Sequence, residues 1–291
     1  MVKKRAWIFI LLAGILWGTS GLFVHWLTPF GFSALQMAAM RGSVAALTMS
    51  GYVCYQNRSL FRLGKGEFWL FLGSGAAMFL TGSCYYASMQ MTSVSTAVVL
   101  MYTAPIFVMA FSVAYLGESL TSLKGMAVGM MLIGCGLVSG IVGGLRFHML
   151  GIGVGLLSGI AYSAYNILTK IQMRRKSNPI SATLYCFIFM AIFALSVANP
   201  MEMVQLTMQK PAVILPLMVG VGVCTSVLPY FLYTLALKEI PVGTASTLSI
   251  VEPMAATLMS VWFLGEKIGI FSLCGIVLIL GAVFLLGKSE K

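Results

Sequence analysis

A single acidic residue inside an apolar segment constrains the fold of this chain most. The segment from Gly243 to Glu266 is long and apolar enough to cross a bilayer, yet Glu252 lies near its middle. Pro253 follows at once, so the segment lacks one backbone donor and the preceding turn is disturbed. A carboxylate is costly in hydrocarbon, and ionisable residues of membrane helices face protein or a water-filled cavity. We therefore expect a membrane helix whose middle faces the interior of a helix bundle.

The same pattern occurs in the earlier half of the chain. The segment from Thr96 to Glu118 carries a proline and then a Gly-Glu pair at the same spacing, and the two copies are 148 residues apart. This distance is about half of the 291 residues, which indicates a duplicated unit with copies at 1–145 and 146–291. We interpret the prolines and the Gly-Glu corners as structural hinges: Pro105, Gly117, Glu118, Pro253, Gly265 and Glu266.

The composition is that of an integral membrane protein. Hydrophobic residues make up 59% of the chain and charged residues only 9%, whereas soluble domains carry about 25% charged residues. The net charge of +11 comes from short basic clusters between apolar runs, which membrane topology explains without a nucleic-acid partner. The chain has no GxxxxGK[ST] loop, and its six cysteines are single and lack histidines at ligand spacing. We therefore predict no ATP-binding domain, cofactor, metal site or disulfide.

Ten apolar segments each approach the roughly 20 residues that a helix needs to span a bilayer. The predicted fold class is therefore all-α, an integral membrane protein with ten transmembrane helices and no extramembrane domain. The approximate limits of the spans are 7–27, 33–55, 67–89, 94–115, 122–142, 149–171, 179–198, 212–236, 242–263 and 269–287.

The basic residues predict the orientation of these spans. With the N-terminus inside, fourteen Lys and Arg residues fall on the cytoplasmic side, three on the outer side, and Arg41 lies within span two. Because cytoplasmic loops carry the excess of basic residues, we expect both termini to be cytoplasmic. Five spans per half is an odd number, so the two halves cross the membrane in opposite directions. Inverted repeats of this kind enclose a midplane site and support alternating access.

Several segments carry a resemblance to a known family: WGTSGLF in span one, MAAMRGSVAAL around Arg41, and the pair APIFVMAFSVAYLGESLT and VEPMAATLMSVWFLGEK. Over essentially its whole length the chain resembles the ten-helix drug/metabolite transporters of the EamA type. The resemblance implies a carrier of the cytoplasmic (inner) membrane, often an exporter of amino acids or related metabolites. It also implies a central cavity lined mainly by helices one, three, four, six, eight and nine, and it does not select a solute.

The two charged residues within the spans have alternative interpretations. Glu252 lies near the midplane and either binds a proton or cation in the pathway or accepts hydrogen bonds that hold the kink at Pro253. Arg41 could contact a substrate carboxylate, bond backbone carbonyls or pair with Glu252, and a structural role is favoured for it. If both charges face one cavity, they match the opposite charges of a zwitterionic solute.

Aromatic residues within the spans are further candidates for the lining of a cavity, because Tyr and Trp usually gather at the membrane interfaces instead. Trp17, Tyr102 and Asn166 are the predicted contacts of the substrate pathway, beside Glu252 and Arg41. The segment Gly14–Phe23 can also be aligned with Gly159–Leu168, which places Trp17 opposite Tyr162 in the repeat.

These features predict a secondary transporter and not an enzyme, since no catalytic arrangement of Ser, Cys, His or Asp is recognisable within the spans. The expected partners are a small-molecule substrate and the lipid bilayer, with no obligate protein partner. Transport is driven either by proton exchange, with protons as the coupling ion, or by the gradient of the solute alone. The leading hypothesis is export of small polar or zwitterionic metabolites, such as amino acids, by alternating access. Export of cationic or aromatic drug-like compounds is the alternative, and a membrane channel or scaffold is the alternative from another class.

Overall fold

The computed structural model describes residues 2–62, 64, 66–92, 94–117, 119–138, 148–265 and 269–289. Within these ranges all regular secondary structure is helical, which confirms the predicted fold class. The hinge candidates Glu118 and Glu266 lie outside the described residues, as does the predicted boundary between residues 145 and 146.

Ten helical segments in the described ranges correspond to the ten predicted spans, and four of them are interrupted. In chain order the helices are α1 (Val2–Gly18) followed by α2 (Ser20–Leu27), α3 (Ala34–Gln56), α4 (Glu67–Met91), α5 (Val94–Met101) followed by α6 (Ala104–Leu116), α7 (Ser122–Val138), α8 (Met149–Arg174), α9 (Pro179–Leu195), α10 (Pro200–Gln209), α11 (Pro211–Gly222) followed by α12 (Leu228–Ala236), α13 (Val242–Leu248) followed by α14 (Val251–Leu264), and α15 (Ile270–Ser289).

Length and composition distinguish these segments further. Six stretches of the described chain are long and apolar enough to cross a membrane on these criteria alone: Lys4–Phe30, Glu67–Ser88, Ala97–Leu116, Met149–Arg174, Pro211–Ala236 and Val242–Leu264. Of the other spans, α7 and α9 have 17 residues each, and α3 has 23 residues but contains Arg41. The chain is therefore a multi-pass membrane protein with several short or polar helices, and these depend on their neighbours for burial.

One helix, α10, differs from the sequence prediction, which left these residues as a connection. It bends away from α9 by 95°. Gln36 at the start of α3 donates a hydrogen bond from Nε2 to Glu202 Oε2 on α10 (2.9 Å). Met203 and Thr207 are buried, whereas Met201 is 70% exposed. The bend of 95° and this one-sided burial show that α10 does not extend α9, and the contact with Gln36 fixes α10 beside the start of α3.

Proline lies next to the interruptions of spans four and nine. Pro105 lies in the first turn of α6 and Pro253 in the first turn of α14, and each follows a two-residue break after a short helix. Proline is tolerated in the first turn because its missing N–H would have no intrahelical acceptor there. Each proline therefore starts a new helix in the middle of its span.

Glycine ends both of these helices in the same way. Gly117 after α6 has φ 67° and Gly265 after α14 has φ 69°, and their amides donate to the carbonyls of Ser112 and Ser260. This left-handed conformation favours glycine because a Cβ would crowd the following carbonyl. The two corners are therefore the same C-terminal cap, used once in each half.

The contacts between spans one to five and spans six to ten follow a pseudo-twofold pattern. α4 packs on α8, and their counterparts in the repeat, α12 and α1, also pack on each other. α1 packs on α14, and its counterpart α8 packs in the same way on α5 and α6. α4 packs on α9, and the counterparts of these two helices, α11 and α3, also pack on each other. Counterpart spans meet directly in the pairs α3–α9, α6–α13 and α7–α15. This is the packing expected of two inverted copies of one unit.

Helix caps and glycine contacts define the register of the repeat. Ser33 and Asn178, 145 residues apart, each accept a backbone hydrogen bond as the N-cap of α3 and α9. The same interval separates Gly14 from Gly159, as the sequence alignment of span one with span six predicted. A side chain at Gly14 would meet Val251, and one at Gly159 would meet Thr103, the residue 148 positions before Val251.

Candidate functional site

The interior of the bundle contains a cavity of about 510 Å³. Helices one, three, four, six, eight and nine contribute to its walls, and single residues from spans two, five and ten complete them. The lining residues are Trp17, Ser20, Gly21, Val24, Arg41, Met78, Thr81, Gly82, Tyr85, Tyr86, Val98, Met101, Tyr102, Val138, Tyr162, Tyr230, Glu252, Pro253, Ala256, Thr257, Ser260, Val261 and Ser272.

The cavity occupies one half of the membrane bundle. We call the side where α1 begins the N-terminal face and the opposite side the distal face. The lining of α4 runs from Met78 to Tyr86 and that of α14 from Glu252 to Val261, which are the parts of these spans nearer the distal face. Exposed Gly21 also lines the cavity, which therefore reaches the surface of the bundle in that half.

The half toward the N-terminal face is closed by packed side chains. Tyr233, Leu237 and Leu248 have no exposed surface. Aromatic rings form the floor of the cavity above them: the rings of Trp17 and Tyr230 meet edge to face with centroids 4.9 Å apart, and Tyr230 meets Tyr165 in the same way at 5.6 Å. The structure therefore combines an open distal half with a sealed N-terminal half.

Glu252 lies in the first turn of α14, where the interruption of span nine exposes a helix N-terminus inside the bundle. A carboxylate is favoured there by the partial positive charge of unpaired backbone amides. Tyr102, at the corresponding interruption of span four, donates a hydrogen bond from its hydroxyl to Glu252 Oε2 (2.5 Å). The two broken helices thus meet at this carboxylate, and both residues line the cavity.

Arg41 and Glu252 face the same cavity. Among the described side chains no ion pair within 4.0 Å joins them, and the Nε atom of Arg41 is buried without a hydrogen-bond partner. A structural role was predicted for Arg41 from the sequence, and direct pairing with Glu252 was one form of that role. The structure instead presents two opposite charges to one space without direct neutralisation of one by the other.

Trp17 and Asn166 differ in where the structure places them. Trp17 lines the cavity, and its indole Nε1 is buried without a hydrogen-bond partner. Asn166 lies on α8 with no exposed surface and is not among the lining residues. Four of the five predicted pathway residues therefore meet at the cavity, and Asn166 lies in the sealed half.

One wall of the cavity was not predicted from the sequence. Ala256, Thr257, Ser260 and Val261 follow Glu252 on α14 and all line the cavity. Their positions, four, five, eight and nine residues after Glu252, place them on one helical face. Small and hydroxyl side chains at this spacing from an intramembrane acid are the signal that could have identified this wall.

Comparisons with known proteins agree with this architecture. The sequence profile of the EamA-like transporter family matches the chain twice, at residues 4–140 and 149–288. An uncharacterized transporter of Archaeoglobus fulgidus is 28% identical over 276 residues, which cover 95% of this chain and 94% of that protein. The uncharacterized transporter YwfM of Bacillus subtilis is 23% identical over 285 residues, covering 98% and 94% of the two chains.

A solved crystal structure superposes on this one with a TM-score of 0.79 and 16% sequence identity, covering 99% of both chains. At this identity the likeness shows the fold alone. The two profile matches fall on the two halves that the Pro and Gly-Glu patterns had indicated.

Proposed function

Since the chain belongs to the EamA-like transporter family, we propose that it is a secondary carrier of small zwitterionic or polar metabolites such as amino acids, working by alternating access. One observation carries the choice of solute: the opposite charges of Arg41 and Glu252 line one cavity and are not paired with each other. A solute with a carboxylate and an ammonium group supplies a counter-charge to each.

The size and walls of the cavity support this class of solute. A volume of about 510 Å³ lies within the roughly 300–1,000 Å³ of small-molecule sites. Charged side chains inside a membrane commonly mark a solute or ion pathway, because their burial is costly without such a role. Hydroxyl groups from Tyr102, Thr257 and Ser260 add hydrogen-bonding capacity, so the solute need not be fully apolar.

Orientation and coupling are part of the same proposal. We place both termini in the cytoplasm from the distribution of basic residues, so the cavity is open to the outside in this state. Export across the cytoplasmic membrane is the proposed direction of net transport, because the resemblance to the family implies it. Protons are the proposed coupling ion, with Glu252 as the group that exchanges them, because it is the carboxylate among the described residues that line the cavity.

The test is counterflow in proteoliposomes. Proteoliposomes that contain the purified protein are loaded with an unlabelled amino acid, and the labelled amino acid is added outside. A carrier should show transient accumulation of the label inside the vesicles. Arg41→Gln and Glu252→Gln should each lower the exchange rate by about tenfold or more, since a hydrogen bond to a charged group contributes about 1.5–3 kcal/mol. The matched controls are Arg175→Gln and Glu239→Gln, which alter exposed residues outside the cavity.

Three results would contradict parts of this proposal. Unchanged exchange in both cavity variants would remove the charges from solute binding. Unchanged flux and pH profile in Glu252→Gln under an imposed proton gradient would remove Glu252 from coupling. A channel would give ionic currents far above carrier turnover and no counterflow.

The aromatic walls favour one second candidate, a carrier of cationic or aromatic compounds. Trp17, Tyr85, Tyr86, Tyr162 and Tyr230 all line the cavity, and aromatic faces attract organic cations. Competition separates the two candidates: a quaternary ammonium compound should inhibit exchange in this case, while free amino acids should not.

A further inference from the structure

Among the residues that the structure describes, Asn166 and Ser246 in the sealed half carry side-chain polar atoms without a hydrogen-bond partner. Asn166 on α8 and Ser246 on α13 have no exposed surface, and the amide oxygen and nitrogen of Asn166 and the hydroxyl of Ser246 make no hydrogen bond. A buried polar group without a partner costs about 1–3 kcal/mol. Such groups are rare in a packed interior, so their presence here requires an explanation.

The repeat relates these two residues to the open cavity. In the register of spans one and six, Asn166 corresponds to Gly21, and in the register of spans four and nine, Ser246 corresponds to Val98. Both Gly21 and Val98 line the cavity. The unpartnered polar groups of the second half therefore occupy the positions that, in the first half, face open space.

A buried lysine holds the sealed half closed. Lys170 near the end of α8 is only 8% exposed, and its ammonium group donates hydrogen bonds to the carbonyls of Leu237 and Ile240, each at 2.7 Å. These carbonyls follow the end of α12, where backbone acceptors lack intrahelical donors and attract a cation. Lys170 therefore ties the connection between α12 and α13 to α8.

The counterpart of this contact in the first half is not closed. His25 corresponds to Lys170 in the register of spans one and six, and it is exposed at the end of α2. The connection between α4 and α5 is the counterpart of that between α12 and α13, and α2 does not pack extensively against α4 or α5. The contact that closes the N-terminal face, made by Lys170 in the second half of the chain, therefore has no equivalent at His25 in the first half.

We propose that Asn166 and Ser246 line a second vestibule, closed in this structure, that opens to the N-terminal face when Lys170 releases the carbonyls of Leu237 and Ile240. The inference rests on the proposed carrier function and adds the residues that a polar solute contacts on the second half of its passage. In the open vestibule, water or the hydrogen-bonding groups of the solute satisfy the amide of Asn166 and the hydroxyl of Ser246. The cost of their unpaired burial is confined to the state seen here.

Thiol accessibility tests the proposal on the full-length protein in detergent. Ser246→Cys is introduced alone and together with Lys170→Met, and modification by a polar maleimide is followed by mass spectrometry of the peptide that carries the new thiol. This readout leaves the six native cysteines in place. We expect modification of the new thiol to be at least about tenfold faster with Lys170→Met, because loss of two charge-assisted bonds favours the opened state.

Three controls accompany the measurement. Ser158→Cys also places a thiol at a fully buried position of α8, but the Ser158 hydroxyl is bonded to Gly155 and its repeat counterpart, Ala13, does not line the cavity. This thiol should stay unreactive in both backgrounds. The thiol of Gly21→Cys should react with the maleimide when Lys170 is unchanged, and it should react more slowly when Gly21→Cys is combined with Lys170→Met. Lys170→Arg keeps a cationic donor and should restore the slow modification of Ser246→Cys.

If Lys170→Met fails to fold, the Ser246→Cys variant with Lys170 unchanged is treated with the maleimide during amino-acid counterflow. The rate of modification of the new thiol should then be higher than the rate without solute. Unchanged modification of Ser246→Cys in every condition would overturn the vestibule, as would equal acceleration at Ser158→Cys. Counterflow separates this failure from that of the proposed function. If the protein exchanges solute but the Ser246→Cys thiol is never modified, the vestibule is refuted and the carrier function is not. If the modification rate changes as expected but no solute is exchanged, the carrier function is refuted and the vestibule is not.

Discussion

The close approach of α1 and α14 provides the sharpest test of the packing. A Cβ added at Gly18 would lie 2.8 Å from the backbone nitrogen of Ala256, 2.9 Å from the Cβ of Ala255 and 3.1 Å from its carbonyl carbon. These atoms belong to the backbone or to an alanine, so no side-chain rotation relieves the contact. In Gly18→Ala the two helices must separate, and overpacking of this kind costs about 1–3 kcal/mol.

Gly21 is the matched control for this substitution. It lies one turn further along the same span, in α2, and a Cβ there would meet nothing within 4 Å. Replacement of an unconstrained helical glycine by alanine stabilises a helix by roughly 0.5–1 kcal/mol. Gly21→Ala should therefore leave the free energy of unfolding unchanged or raise it.

The assay is equilibrium unfolding in mixed micelles, with an increasing fraction of denaturing detergent and far-ultraviolet circular dichroism as the signal. Gly18→Ala should unfold at a lower detergent fraction than the unmodified protein, and Gly21→Ala at the same or a higher one. Equal midpoints for Gly18→Ala and the unmodified protein would show that α1 and α14 are not in direct backbone contact, and the geometry of the cavity wall would then be wrong.

Three further outcomes follow from individual contacts. Tyr102→Phe removes the only hydrogen bond found to the Glu252 carboxylate among the described residues, so counterflow should slow by about tenfold or more, while Tyr86→Phe, measured in the same assay, should have a smaller effect. Gly265→Ala places a Cβ at φ 69° and should lower the free energy of unfolding by about 1–2 kcal/mol, with Gly265→Asn closer to the unmodified protein. Ser33→Ala removes the capping box of α3 and should cost about 0.5–2 kcal/mol in the same unfolding assay.

Local features of the sequence were enough to predict the membrane class, the ten helical segments and the repeat. Proline and glycine act on the backbone within one or two turns, so their spacing carries over directly to the breaks before α6 and α14 and to the left-handed corners at Gly117 and Gly265. The α10 helix was missed because its ten residues are too few and too polar to resemble a span, and its position depends on the distant contact between Gln36 and Glu202.

The position of each residue within the bundle was decided by the tertiary structure. Lipid and the protein interior are both apolar, so the hydrophobic pattern of a span does not show which of its faces contacts lipid and which contacts other helices. Trp17 and Asn166 were predicted to share a role on comparable grounds, yet one lines the open cavity and the other lies in the sealed half. Two inverted copies of one unit can enclose a cavity toward either face. Contacts between distant helices, such as that of Lys170 with Leu237 and Ile240, determine which half is open, and no local sequence pattern contains that information.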